Sequence, residues 1–139
     1  MRTYKASDVL QVTGISRTLY NQWVFKGVIS PYKEADGPGR QAKFSFGNLV
    51  SMKLVLKLRD MGMRLKPSAQ IGRIVQGIMD NESEQEKYIL VINSENPSEY
   101  TVLELKDTVN FFKESVWTIT QFIRLDHLND EVNRLLEQK

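Results

Sequence analysis

Three glycines set what the first half of this chain can fold into. Each sits at the edge of a stretch whose apolar residues recur at helical spacing. Residues 6–13, ASDVLQVT, carry Val9, Leu10 and Val12 on one side, with N-cap chemistry at Ser7 and Asp8; Gly14 interrupts them. Ser16 caps a second helix running to about Lys26, with Leu19, Tyr20, Trp23 and Val24 at helical spacing. Gly27 suits the left-handed cap at its end. Two short helices joined across such a turn are the pattern of a helix-turn-helix, whose second helix enters a major groove.

The next segment differs. Val28 and Ile29 predict a brief extended stretch ending at Pro31, and Asp36-Gly37-Pro38-Gly39 is turn chemistry flanked by Lys33, Arg40 and Lys43. This predicts a hairpin with a basic tip, a wing. Residues 47–62 then predict a long helix, with Leu49, Val50, Met52, Leu54, Val55, Leu56, Leu58 and Met61 as its apolar stripe and Gly62 at its end. Pro67 marks the first turn of another, with Ile71, Ile74, Val75 and Ile78 as core positions.

The ordered set resembles the DNA-binding domain of the MerR family of bacterial transcription regulators. The carrying residues are Tyr4–Val9, Thr13-Gly14-Ile15-Ser16, Trp23 with Lys26–Pro31, Lys43-Phe44-Ser45, and the helix Leu49–Met63 with its Lys57–Gly62 segment. The likeness covers about residues 3–76. It implies a transcription regulator that binds and distorts promoter double-stranded DNA as a homodimer on a pseudo-palindrome. RNA polymerase enters as a second candidate partner, and a small-molecule effector is left open. Asn21 stands where the family commonly has an arginine.

Candidate DNA-binding residues follow from helix-turn-helix geometry, in which the first turns of the second helix reach base edges. They are Ser16, Arg17, Thr18, Tyr20 and Asn21, with Arg17 suited to guanine and Asn21 to adenine. Lys33, Arg40 and Lys43 are phosphate candidates on the wing; Lys26 and Lys5 are weaker ones. Leu19 and Tyr20 compete for the inward position, and Trp23 reads as core.

Charge divides in the same place. Residues 1–76 hold 13 Lys and Arg against 4 Asp and Glu; residues 77–139 hold 6 against 13, so a net +9 half adjoins a −7 half. A basic half suits a polyanion, and the acidic half is repelled from it.

Residues 77–87 predict a linker. Residues 88–139 predict a β-hairpin, from Tyr88–Asn93 and Tyr100–Leu105, followed by helix from Asp107 to the end. Val109, Phe112, Val116, Ile119 and Ile123 repeat at intervals of three and four, and Leu125, Leu128, Val132 and Leu135 resume in a shifted phase. The shift predicts a bend, or two helices joined, near Asp126–Leu128. Phe112, Val116, Ile119 and Ile123 form the expected dimerisation seam. Phe111, Phe112, Trp117 and Phe122, with Tyr88 and Tyr100, read as packing before pocket, and Glu114 as a solvated carboxylate. The fold class expected is therefore mainly α: a winged helix-turn-helix, then a small hairpin plus a helical dimerisation unit.

The chain has no cysteine and one histidine, His127, which excludes disulfides, thiolate metal sites, iron–sulfur clusters and cysteine nucleophiles. No cofactor is expected, and 52 residues after position 87 are too few for a cobalamin domain. No phosphate loop or nucleophile–base set points to an enzyme. No segment of the sequence predicts a membrane span, and MRTYKASDVL does not resemble a signal peptide, so a cytoplasmic location is expected. Two other readings stay open: a DNA-architectural, excisionase-like factor, and a protein-interaction adaptor on the same fold.

Overall fold

The computed structural model describes residues 2–33, 41–81 and 87–138. Among them are six α-helices and one three-stranded antiparallel sheet. The first four helices are α1 (Ala6–Thr13), α2 (Arg17–Phe25), α3 (Phe46–Asp60) and α4 (Leu65–Asn81). Gly14, Gly27 and Gly62 all have positive φ, at 71°, 75° and 95°, so each ends its helix in the left-handed region. Ser16 Oγ accepts from Leu19 N at 3.1 Å, as a cap should. The start of α1 differs from expectation. Its N-cap is Lys5, and Asp8 lies inside the first turn, accepting from Lys5 N at 2.9 Å.

Val28 and Ile29 are not extended. Both donate their N–H groups to Trp23 O, at 2.9 and 3.2 Å, and so finish the turn that closes α2. The base of the wing is a pair of isolated bridges, Lys33 with Lys43 and Tyr4 with Phe44. Its expected tip, Asp36–Gly39, and Arg40 lie outside the described residues. So do residues 82–86 of the expected linker, whose first part is the last turn of α4.

α3 and α4 pack closely because α4 offers a glycine. A Cβ on Gly72 would stand 2.8 Å from Ser51 Oγ and 2.9 Å from Val55 Cγ2. Ile71 and Val75 are buried in this contact, whereas Ile74 is half exposed at 49%, so the core stripe of α4 is narrower than its apolar spacing predicts.

The C-terminal segment departs most from expectation. The hairpin forms, β1 (Tyr88–Asn93) with β2 (Tyr100–Glu104), in register Leu90 to Val102. A 3-10 turn (Leu105–Asp107) leads into a short α5 (Thr108–Glu114). The helix stops there, because Ser115 takes an extended conformation at φ −67° and ψ 140°. The chain then forms β3 (Thr120–Arg124), which pairs with the other side of β1 in the order β2-β1-β3, and enters α6 (Leu125–Glu137). The helix expected from Asp107 to the end is therefore corrected: a separate helix does begin near Asp126–Leu128, at Leu125, but a strand, not a helix, leads into it.

The reason lies in β1. Ile89, Leu90, Val91 and Ile92 are all buried, so this strand is apolar on both faces, as suits a central strand, and its backbone pairs with β2 on one edge and β3 on the other. On one face Leu90 and Ile92 join Val102 and Ile123 in the main core. The opposite face carries Val91 beside Phe122, whose ring meets Phe112 of α5 at 4.8 Å. α5 is the cover of that second face.

α6 buries Leu125, Leu128 and Val132 in the same cluster as Leu49, Leu54 and Leu58 of α3. Lys57 and Glu131 pair at 3.1 Å, and Gln11 Nε2 donates to Leu135 O at 2.7 Å. One core thus joins both halves of the chain. Among the described residues no helix is long and apolar enough to cross a membrane.

Candidate nucleic-acid interface

α2 is held by one face and exposes the other. Tyr20 and Trp23 are buried, and the Tyr20 ring lies edge-on to Phe44 at 6.2 Å. Phe44 settles the competition between Leu19 and Tyr20: its bridge to Tyr4 brings it under α2, and Tyr20 is the residue that meets it. Burial withdraws Tyr20 from the exposed face expected of a base contact. It also raises the Tyr20 hydroxyl above its ordinary pKa, with nearby Arg17 opposing.

Arg17, Thr18, Asn21 and Phe25 are exposed. Arg17, Asn21 and Phe25 are spaced by four and form one stripe. The Arg17 guanidinium sits 5.5 Å from the Tyr20 ring centroid, a contact that restrains it while leaving its donors open. Ser16 is spent on the helix cap, and Lys26 ends the helix as an exposed C-cap.

The wing base is fixed by α3. Lys33 N donates to Lys43 O at 3.0 Å and Lys43 N to Lys33 O at 2.7 Å, with both side chains exposed. Asn48, buried in the first turn of α3, accepts from Tyr32 N at 3.1 Å and donates to Ser30 O at 2.8 Å. The start of α3 is in turn tied to α4, where Asp80 accepts from Ser45 Oγ at 2.8 Å and Gly47 N at 3.0 Å. Each lysine is thus carried on backbone anchored to the core.

Between α2, the start of α1 and the wing base runs an open groove of about 870 Å³, lined by Lys5, Arg17, Asn21, Phe25, Pro31 and Gln41 among others. Among the described residues that line it, none is acidic. The groove therefore brings together Arg17, Asn21 and Lys5, with the buried Tyr20 also in its wall. Thr18, Lys26, Lys33 and Lys43 lie outside its lining. Phe25 and Gln41 were missed from the sequence, although the spacing of Phe25 from Arg17 and Asn21 is visible there. Such a surface can donate hydrogen bonds to anionic oxygens and to base edges. Among the described residues no cluster of His, Asp or Glu could hold a metal ion.

The expected dimerisation seam does not lie along one helix. Phe112 lies on α5, Val116 and Ile119 lie in the segment after it, and all three are exposed, Val116 at 92%. Ile123 is on β3 and packs into the main core, away from the other three. The aromatic set packs locally, Phe111 against Trp117 at 5.3 Å and Phe112 against Phe122.

No family model matches the chain, and neither does any curated protein.

Proposed function

We propose that the protein is a sequence-specific double-stranded DNA-binding transcription regulator of the MerR type, acting as a homodimer. The observation that carries this reading is the exposed stripe of α2, anchored by Tyr20 and Trp23 and facing a groove without acidic lining among the described residues. α2 has nine residues, and an α-helix with its side chains is about 10–12 Å across, a fit to a major groove about 12 Å wide. Arg17 reads guanine and Asn21 reads adenine, with Thr18 beside them. Lys33 and Lys43 on the wing, with Lys5 and Lys26, take phosphates and fix the register. Exposed Val109, Phe112, Val116 and Ile119 supply the apolar surface for the second protomer.

Selection from a random duplex library, with binding followed across salt, tests the reading. The expected product is a pseudo-palindrome bound with a steep salt dependence. Arg17→Ala then costs about 1–3 kcal/mol and relaxes one base position, while Lys43→Ala lowers the salt slope by about one. Binding without sequence enrichment identifies an architectural factor instead. No binding at low salt, by folded protein, removes the regulator reading.

A further inference from the structure

Phe25 is 92% exposed, although Tyr20 and Trp23 of the same helix are buried. Its exposure is not that of an isolated apolar residue on a polar surface. Phe25 continues the Arg17–Asn21 stripe, and it lines one groove with half-buried Val24 and Pro31 and buried Ile29. Along α2 the groove is thus cationic at Arg17 and apolar at Phe25, and Lys5 adds a second positive charge to its lining. Eight residues of helix separate Arg17 from Phe25, about 12 Å. An occupant that satisfies both ends presents anionic oxygens and apolar surface within that distance. Duplex DNA does so, because each charged phosphate adjoins an uncharged sugar and base edge. The charge complementarity selects it: no acidic side chain lines the groove among the described residues.

We propose that Phe25 is the apolar contact of this interface, seated against sugar and base edges of the same duplex whose bases Arg17 and Asn21 read. This rests on the reading of the protein as a duplex-DNA binder and adds a residue of a different physical kind. A lysine contact releases counterions and weakens as salt rises; an apolar contact does not. Phe25 accordingly supplies affinity that survives high salt.

The test uses the full chain and the duplex recovered by library selection, with affinity measured by fluorescence anisotropy over a series of potassium chloride concentrations. Phe25→Ala should lower affinity about tenfold at every concentration, giving a line parallel to that of the wild type. Phe25→Leu should restore most of the loss, and Lys43→Ala should change the slope instead. The substitution is at an exposed position, so thermal unfolding should stay unchanged. Wild-type affinity in Phe25→Ala overturns the proposal while leaving the DNA-binding reading intact. A loss that vanishes at high salt also overturns it, since that marks an electrostatic effect. A change in sedimentation mass assigns Phe25 to a second copy of the chain and overturns it too. Failure of the wild type to bind any duplex removes the reading beneath it.

Discussion

Helices α2 and α5 both carry aromatic residues at positions that sequence spacing assigns to a buried face. In α2, Tyr20 and Trp23 are buried; in α5, Phe111 is half-buried and Phe112 is 61% exposed. The difference lies in what each helix meets and how it ends. α2 has Phe44 beneath it, Ser16 capping its start, and the N–H groups of Val28 and Ile29 closing on Trp23 O. α5 has seven residues, no side-chain cap, and only the second face of a three-stranded sheet to cover. Apolar spacing fixes a face only where a core stands ready to receive it. The two surfaces left over also differ: α2 leaves a charged and polar stripe, α5 an apolar one.

The contrast would weaken if the two regions were energetically separate, so the largest effect tests their union. Leu90 of β1 is fully buried in the cluster that also contains Leu54 of α3 and Val132 of α6. Leu90→Ala should cost about 2–5 kcal/mol. Because the cluster is continuous, the most protected amides of α3 should lose the same amount as those of β1 in native-state hydrogen exchange. Loss confined to β1 would show that the regions open independently.

A middle-sized effect concerns how the wing base is held. A Cβ on Gly47 would collide with Asp80 Oδ1 and lie 2.8 Å from Gln76 O. Gly47→Ala should therefore destabilise by about 1–3 kcal/mol through overpacking. Asp80→Ala should cost about 1–2 kcal/mol through the lost hydrogen bonds from Ser45 Oγ and Gly47 N at the start of α3. The double variant should cost less than the sum, since removing the carboxylate removes the nearest collision. Strict additivity in chemical denaturation would break this account.

Helices α1 to α4 are legible because their signals are local: glycine stops, Ser16, Pro67 and apolar spacing. β3 is not, because its cause is tertiary. Val109, Phe112, Val116, Ile119 and Ile123 satisfy a helical template, yet Val116, Thr118, Ile119, Thr120 and Ile123 are β-branched and fit a strand better. The stronger clue is YILVIN, whose unbroken apolar run marks a strand covered on both faces, as suits a central strand paired on each edge. At the interface, Arg17 and Asn21 are legible as residues of the first turns of a second helix that follows a glycine turn. Choosing Tyr20 over Leu19 as the inward residue required knowing that Phe44 lies beneath α2. Phe25 is not legible, because spacing alone does not tell whether an aromatic two residues after Trp23 is exposed.

The starts of α2 and α6 give the smallest effect. Ser16 caps α2 with a neutral hydroxyl, which does not titrate in the acid range. At α6, Arg124 Nε and Nη2 donate to Asp126 Oδ1 and Oδ2 at 2.9 and 2.7 Å. The hydrogen bond from Arg124 is the main reason that the Asp126 carboxyl is held below its ordinary value of 3.8, against the opposing effect of burial. A carboxylate with a lowered pKa in the folded state stabilises it above the unfolded pKa. That contribution is lost as pH falls through the folded value. Arg124→Gln should raise the Asp126 titration midpoint read by NMR and leave less to lose, so its stability should fall less steeply in acid than that of the wild type. The two proteins share every other titrating group, so parallel acid limbs would show that the pair contributes nothing to the fold. A shallower limb in the variant would place an acid-sensitive joint between β3 and α6, where the start of α2 has only the neutral cap of Ser16.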